Sequence, residues 1–166
     1  MLITFQYSPR ILQQAHELHY KKFFQFQSRL PMILGFLSIW AGLLLFLILG
    51  KDGNKFLSIS LVAFGLIAIA IYYWMMKTIG KRVYKKLTGY RDPFVIDINP
   101  QNINMTVRET SYEIPWEDVK KALIAPELIL LYPTDRMFYI FPKNNFEGNE
   151  FEGFEQLVRR KVTEIY

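Results

Sequence analysis

The chain contains no cysteine, which excludes disulfides, thiolate metal ligands and cysteine nucleophiles together. Its only imidazoles are His16 and His19, in the stretch HELH. That spacing is one residue short of H-E-x-x-H, and there is no third imidazole to complete a zinc site. They are read as a surface or interfacial pair, and no metal is expected. The phosphate-cradling G-x-x-x-x-G-K-[ST], the dinucleotide fingerprint G-x-G-x-x-G and the nucleophile elbow G-x-S-x-G are missing as well. Carboxylates such as Asp97, Glu113, Glu117 and Asp118 fall on polar strand faces or in a bend. None has the His, Cys or metal-ligand partner that acid-base work would need. The chain is therefore expected to be a non-enzyme without a cofactor.

Charge is missing from two long stretches. PMILGFLSIWAGLLLFLIL (residues 31–49) and FLSISLVAFGLIAIAIYYWMM (residues 56–76) hold no Asp, Glu, Lys or Arg. At ~1.5 Å rise per residue, about 20 residues cover the ~30 Å hydrocarbon core of a bilayer, so each stretch is long enough to span it. Buried helices of a soluble bundle normally keep a polar stripe, whereas these carry only scattered serines. The first stretch follows a charged segment and lacks a small-residue cleavage site, so it is expected to remain in the mature protein. KDGNK joins the two, with Asp52-Gly53 as its turn, and so short a link requires an antiparallel hairpin. With the turn centred near Gly53, Trp40 is expected opposite Gly65. Ser38 and Gly42, four residues apart, add a small-residue face suited to close helix packing and to a possible homo-oligomer.

What charge there is, a formal +5 overall, concentrates beside these spans. Lys21, Lys22 and Arg29 precede the first. Lys77, Lys81, Arg82, Lys85, Lys86 and Arg91 follow the second, and the hairpin link offers only Lys51 and Lys55. This bias predicts that both termini are cytoplasmic, with Tyr72, Tyr73 and Trp74 as the aromatic belt on that side. The six basic residues of 77–91 are candidate contacts for anionic lipid headgroups or phosphate, each worth about 1 kcal/mol near a membrane surface. Topology alone also accounts for them. Because the basic residues do not interleave with exposed aromatics, no nucleic-acid partner is expected.

The flanking segments show regular periods. LITFQYS alternates like a short strand and ends at Ser8-Pro9, a helix cap followed by a proline suited to the first turn. Leu12, Ala15, His19, Phe23, Phe26 and Leu30 then share one helical face, and Pro31 predicts a bend after Leu30. Ile79, Val83, Leu87 and Tyr90 continue a helical period beyond the second span to about Gly89. From Asp92 the period becomes two. FVIDI, INMTVR, SYEIPW, KKALIA, LILLY and MFYIF read as six strands of an antiparallel meander. Within IPWEDV, Tyr112, Ile114 and Trp116 are expected on the apolar face, with Glu117 and Asp118 in the bend that follows. A final helix is marked by capping-box spacing of Asn149 and Glu152 and by the stripe Phe151, Phe154, Val158, Val162 and Ile165.

The expected architecture is a membrane α+β protein. Residues 1–29 form a strand and amphipathic helix, 30–76 the transmembrane hairpin and 77–91 a basic juxtamembrane extension. Residues 92–166 form a cytoplasmic pleckstrin-homology-like antiparallel β-domain closed by a C-terminal amphipathic helix. Such a domain usually has seven strands, and residues 2–7 are the candidate for the seventh.

The runs IPWEDVKKALIAPELILLY, MFYIFPKNNF and FEGFEQLVRRK, behind two closely spaced spans, resemble the YcxB-like bacterial membrane proteins. The resemblance implies the fold and an inner-membrane location; it implies no established activity or ligand and carries no catalytic residue across. One departure is Asn144, where many relatives have a further basic residue, and this speaks against anion binding at the Pro142-Lys143 turn. The expected function is presentation of the cytoplasmic domain to a protein partner or to anionic lipid. An immunity or accessory factor that meets a toxin or membrane partner is one alternative. A channel or transporter subunit is another, although the spans lack the ionisable residues that often mark ion pathways.

Overall fold

The computed structural model describes residues 1–49, 55–86, 88–135 and 137–166. The Asp52-Gly53 turn and Leu87 lie outside the described residues. The chain divides into two compact units, Met1–Ala15 with Lys81–Tyr166, and His16–Gly80. The first segment, expected as one piece over 1–29, is thus shared between them.

The first unit is built on two sheets. Strand β1 (Leu2–Phe5) pairs antiparallel with β2 (Phe94–Ile98), placing Ile3 opposite Ile96. Strands β3 (Asn102–Val107) and β4 (Thr110–Pro115) continue the meander, giving the order β1-β2-β3-β4. The β2–β3 connection is held by the Asn99 side chain, whose Oδ1 accepts the Gln101 and Asn102 N–H groups at 3.0 and 2.9 Å. This is the side-chain turn chemistry for which Asn is favoured. The second sheet comprises β5 (Lys121–Ala125), β6 (Leu128–Tyr132), β7 (Tyr139–Pro142) and β8 (Glu164–Ile165), in the order β7-β6-β5-β8. All five residues of β6 are buried, as its unbroken apolar sequence requires.

Helix α4 (Glu150–Lys161) closes this unit by burying Phe151, Phe154, Leu157 and Val158. Phe154 is the centre of an aromatic cluster, with ring centroids 4.9 Å from Phe141, 5.3 Å from Phe146 and 6.4 Å from Trp116. Trp116 stands in a short 3-10 turn (Trp116–Asp118) directly after Pro115, at the end of the β3–β4 ladder. It is buried, and its indole N–H donates to the Asn99 carbonyl at 2.9 Å. One side chain therefore ties the β2–β3 turn to the helix-bearing core. Glu117 and Asp118 are exposed beside it, in the bend the sequence indicated.

Several expectations are corrected here. Strand β1 joins β2 as the expected seventh strand, and β8 is an additional one that was not expected. The last helix stops at Lys161 rather than reaching Ile165. Residues 164–165 pair in parallel with β5, where the Tyr166 N–H meets the Ala122 carbonyl at 2.9 Å. β-branched Val162 and Thr163 favour that extended exit. The capping box does not form. Asn149 makes no side-chain cap bond, Glu150 Oε2 accepts the Glu147 N–H at 3.3 Å, and Glu152 pairs with Lys143 at 3.1 Å. Tyr112 stays 58% exposed on the edge strand β4, while Ile114 and Trp116 turn inward as expected.

In the second unit lie the latter part of α1 (Pro9–Phe23), α2 (Gln25–Leu49) and most of α3 (Lys55–Lys86). The α1 start is as read: Ser8 Oγ accepts the Ile11 N–H at 3.2 Å. Its Leu12 and Ala15 are fully buried within the first unit. The helix does not, however, run to Leu30. It breaks at Phe24, and Pro31 is held inside α2. Proline in a helix leaves the carbonyl four residues earlier without its N–H partner and crowds it, so the adjustment falls upstream of the ring. His19 is no surface residue: it is buried, with the Tyr20, Phe23 and Phe24 rings 5.1–5.8 Å away. Phe26 and Leu30, assigned to the same apolar face, are exposed.

Two measurements check this core. Trp116→Ala is expected to lower the unfolding free energy of the chain in mild detergent by about 3–5 kcal/mol, read from denaturant titration. Tyr132 is fully buried, and desolvation holds its phenol well above the ordinary range. The unfolded chain would release that proton first, so stability is complete below the ordinary phenol pKa of ~10 and falls as pH rises beyond it. Tyrosinate absorbance followed alongside circular dichroism should show Tyr132 ionising only as the fold is lost.

Candidate functional site

Helices α2 and α3 are both long and apolar enough to cross a membrane. Only 11% of the most apolar window of each is buried within the structure, unlike the core helix of a soluble protein. Their mutual contact is built on glycine. A Cβ placed on Gly65 would lie 2.5 Å from the Gly35 carbonyl oxygen, and one on Gly42 would lie 2.7 Å from the Ser58 carbonyl oxygen. Between these close approaches the Ser38 hydroxyl donates to the Leu61 carbonyl at 2.8 Å. Close backbone packing and an interhelical hydrogen bond therefore carry the contact, the means by which helices would associate in apolar lipid.

Of the packing residues picked from the sequence, Ser38, Gly42 and Gly65 are therefore at the helix contact. Trp40 is not: it is 65% exposed, and Gly35 with Ile39 occupies the place opposite Gly65. Gly35 was missed, although its seven-residue spacing to Gly42 is the repeat that keeps one helical face in register. Beside the contact, Gly42, Phe46, Ser58, Val62 and Leu66 line an apolar groove of about 440 Å³.

The basic residues lie where α3 ends. Lys77, Lys81, Arg82, Lys85 and Lys86 are all exposed on this one helix, directly after its apolar stretch. A 3-10 turn (Thr88–Arg91) follows, close to the predicted end at Gly89. Arg91 is also exposed, its guanidinium 5.9 Å from the centre of the Tyr84 ring, and its carbonyl accepts a hydrogen bond from the Gln6 side chain. Elsewhere in the first unit, several cations lie beside carboxylates: Arg108 by Asp92 at 2.9 Å, Lys121 by Asp135 at 2.7 Å and Arg159 by Glu155 at 2.9 Å. Lys143, in the turn after β7, is likewise paired with Glu152 at 3.1 Å. Such pairs reduce the attraction a surface offers to an anion.

An open cleft of about 580 Å³ runs past Pro100, Gln101, Pro115, Trp116, Glu117 and Lys161. It joins one cation to one carboxylate and has no converging set of acid, base or nucleophile. Among the described residues no group of three or more His, Asp or Glu side chains is placed to hold a metal ion.

A two-sheet domain closed by a helix, on a chain with two membrane-length apolar helices, defines the class. The family model described as YcxB-like protein matches residues 98–158, from the end of β2 into α4. The chain thus carries a YcxB-like domain, in agreement with the resemblance read from its motifs. No curated protein matches the chain. No solved structure matches it either.

The glycine contact predicts that Gly65→Ala, which sets a methyl against the Gly35 backbone, destabilises the hairpin by about 1–3 kcal/mol. Gly89→Ala, with open space around the added Cβ, should have no such effect. Thermal unfolding of both variants in detergent compares them directly.

Proposed function

We propose that the chain is a non-enzymatic protein of the bacterial inner membrane, anchored by the α2–α3 hairpin. It displays a pleckstrin-homology-like domain on the cytoplasmic side and gathers anionic lipid headgroups along the basic end of α3. The observation that carries this reading is the exposed, closely spaced set Lys77, Lys81, Arg82, Lys85 and Lys86 on the same helix as the apolar span. Cations so placed beside a bilayer attract anionic lipid over about a Debye length, and each adds roughly 1 kcal/mol.

Two further features support the reading. Pairing of β1 with β2 makes the N-terminal segment and the C-terminal region parts of one compact unit, which supports a hairpin whose two ends leave the membrane on the same side. Two spans satisfy that condition and one span cannot. A four-stranded meander, then a three-stranded one, then a closing helix is the order expected of a pleckstrin-homology-like domain, with β8 as an addition.

The test replaces those five residues together by Gln in the full chain. The wild-type protein, purified in mild detergent from membranes, should retain anionic over zwitterionic phospholipid, and the variant should retain lipid in the bulk ratio. Equal enrichment in both would remove the headgroup reading. C-terminal reporter fusions on both chains establish that the cytoplasmic orientation is unchanged, so that a topology effect is not mistaken for lost binding.

A further inference from the structure

In the second sheet β5, β6 and β7 follow one another in chain order, and residues 164–165 then return from α4 to lie parallel along the outer edge of β5. Only Lys121 and Ala122 find register partners there, Glu164 and Ile165, although β5 runs on to Ala125. Just beyond them the Tyr166 N–H donates to the Ala122 carbonyl and the Ile124 N–H to the Tyr166 carbonyl, each at 2.9 Å. An extended peptide joins an open sheet edge by the same pattern of bonds.

The cover is thin. Thr163, Glu164 and Tyr166 are exposed and Ile165 is half-buried, whereas every residue of β6 one strand away is buried. The side chains of Glu164 and Tyr166 hydrogen-bond to each other. Fixing three residues in one conformation costs about what two backbone bonds and one half-buried side chain contribute, so the segment opens more readily than the sheet beneath it. Its opening exposes the Ala122 carbonyl and the Ile124 N–H, and unpaired edge groups of this kind accept another strand.

The surroundings specify that strand. Register partners share a face of the sheet, so Ile165 stands with Ala122 and Ile124 on the face of Ile129 and Phe141, where Phe141 meets Phe154 of α4. Glu164 stands with Lys121 on the other face. Lys120, immediately before β5, and Arg160 and Lys161, at the end of α4, are exposed, and none is in an ion pair among the described residues. This end of the edge is therefore cationic, and the segment lying on it supplies a carboxylate.

We propose that the β5 edge is a docking site for an extended, acidic segment of a partner protein, with an aliphatic residue at the position of Ile165, and that residues 164–166 are its displaceable cover. The cover has the advantage of being tethered, and a partner overcomes it by pairing along more of β5. Docking here uses none of the basic residues at the end of α3, so it goes beyond the headgroup reading and its outcome is independent of it.

The probe is a fluorescein-labelled peptide, EEVTEIY, which sets two glutamates before the sequence of residues 162–166. Its binding to the chain in mild detergent is followed by fluorescence anisotropy. A chain ending at Val162 is expected to bind it about 10-fold or more tighter than the full chain, because the cover no longer occupies the edge. Tyr166→Pro in the full chain withholds only the N–H given to Ala122 and should change affinity in the same direction, which keeps the test open if the shortened chain does not fold. Methylating the peptide nitrogen that corresponds to Tyr166 should weaken binding by about 2- to 10-fold, the loss of one backbone hydrogen bond. Replacing the three glutamates by glutamine should weaken it further at low salt than at high salt. Equal affinity for the full chain and both variants would overturn the proposal, as would unchanged binding of the methylated peptide. Equal binding of the glutamine peptide would overturn the acidic chemistry of the partner.

Discussion

The pairing of β1 with β2 is the constraint on which the rest of this chain is arranged. It joins residues more than eighty positions apart: Met1 and Ile98 exchange backbone hydrogen bonds at 2.8 Å in both directions, and Gln6 reaches the Arg91 carbonyl. Ile3 and Phe5 are buried by it, as are Leu12 and Ala15 of the same compact unit. The apolar helices consequently form an insertion within a domain rather than a leader in front of one. Were the insertion to cross a membrane, the pairing of β1 with β2 would require an even number of crossings. The apolar hairpin and the split domain are in that sense one design.

The two units solve opposite packing problems. In the sheet unit burial removes apolar surface from water, so Phe141, Phe154 and Trp116 contribute through size, and the Trp116 indole needs only the Asn99 carbonyl to be satisfied. In the hairpin the large apolar side chains stay exposed, and the smallest residues hold the contact because they allow backbone to meet backbone. Phe and Trp point outward there. This inversion explains why a single reading rule, large apolar residues inside, succeeds for Trp116 and fails for Trp40.

Much of the candidate surface was legible in the sequence, because exposure of Lys and Arg at a helix end follows from the cost of burying a charge. Lys81, Lys85 and Lys86 needed no fold to be placed in solvent. What pairing awaited Lys121, Lys143 and Arg108 was not legible, since Asp135, Glu152 and Asp92 reach them only through turns and sheet contacts.

The sequence by itself determined the features that are local sums. The apolar blocks follow from uninterrupted composition, β2 to β7 from short alternating or wholly apolar runs with turn residues between, and the α1 start from Ser8 and Pro9. The tertiary structure alone decided whatever depends on a partner's position. Gly35 rather than Trp40 meets Gly65 because a shift of two or three residues in hairpin register brings a different helical face to the contact. Residues 164–165 become a strand because β5 offers an unpaired edge there, and exposed backbone groups on an edge favour an added strand over a further helical turn.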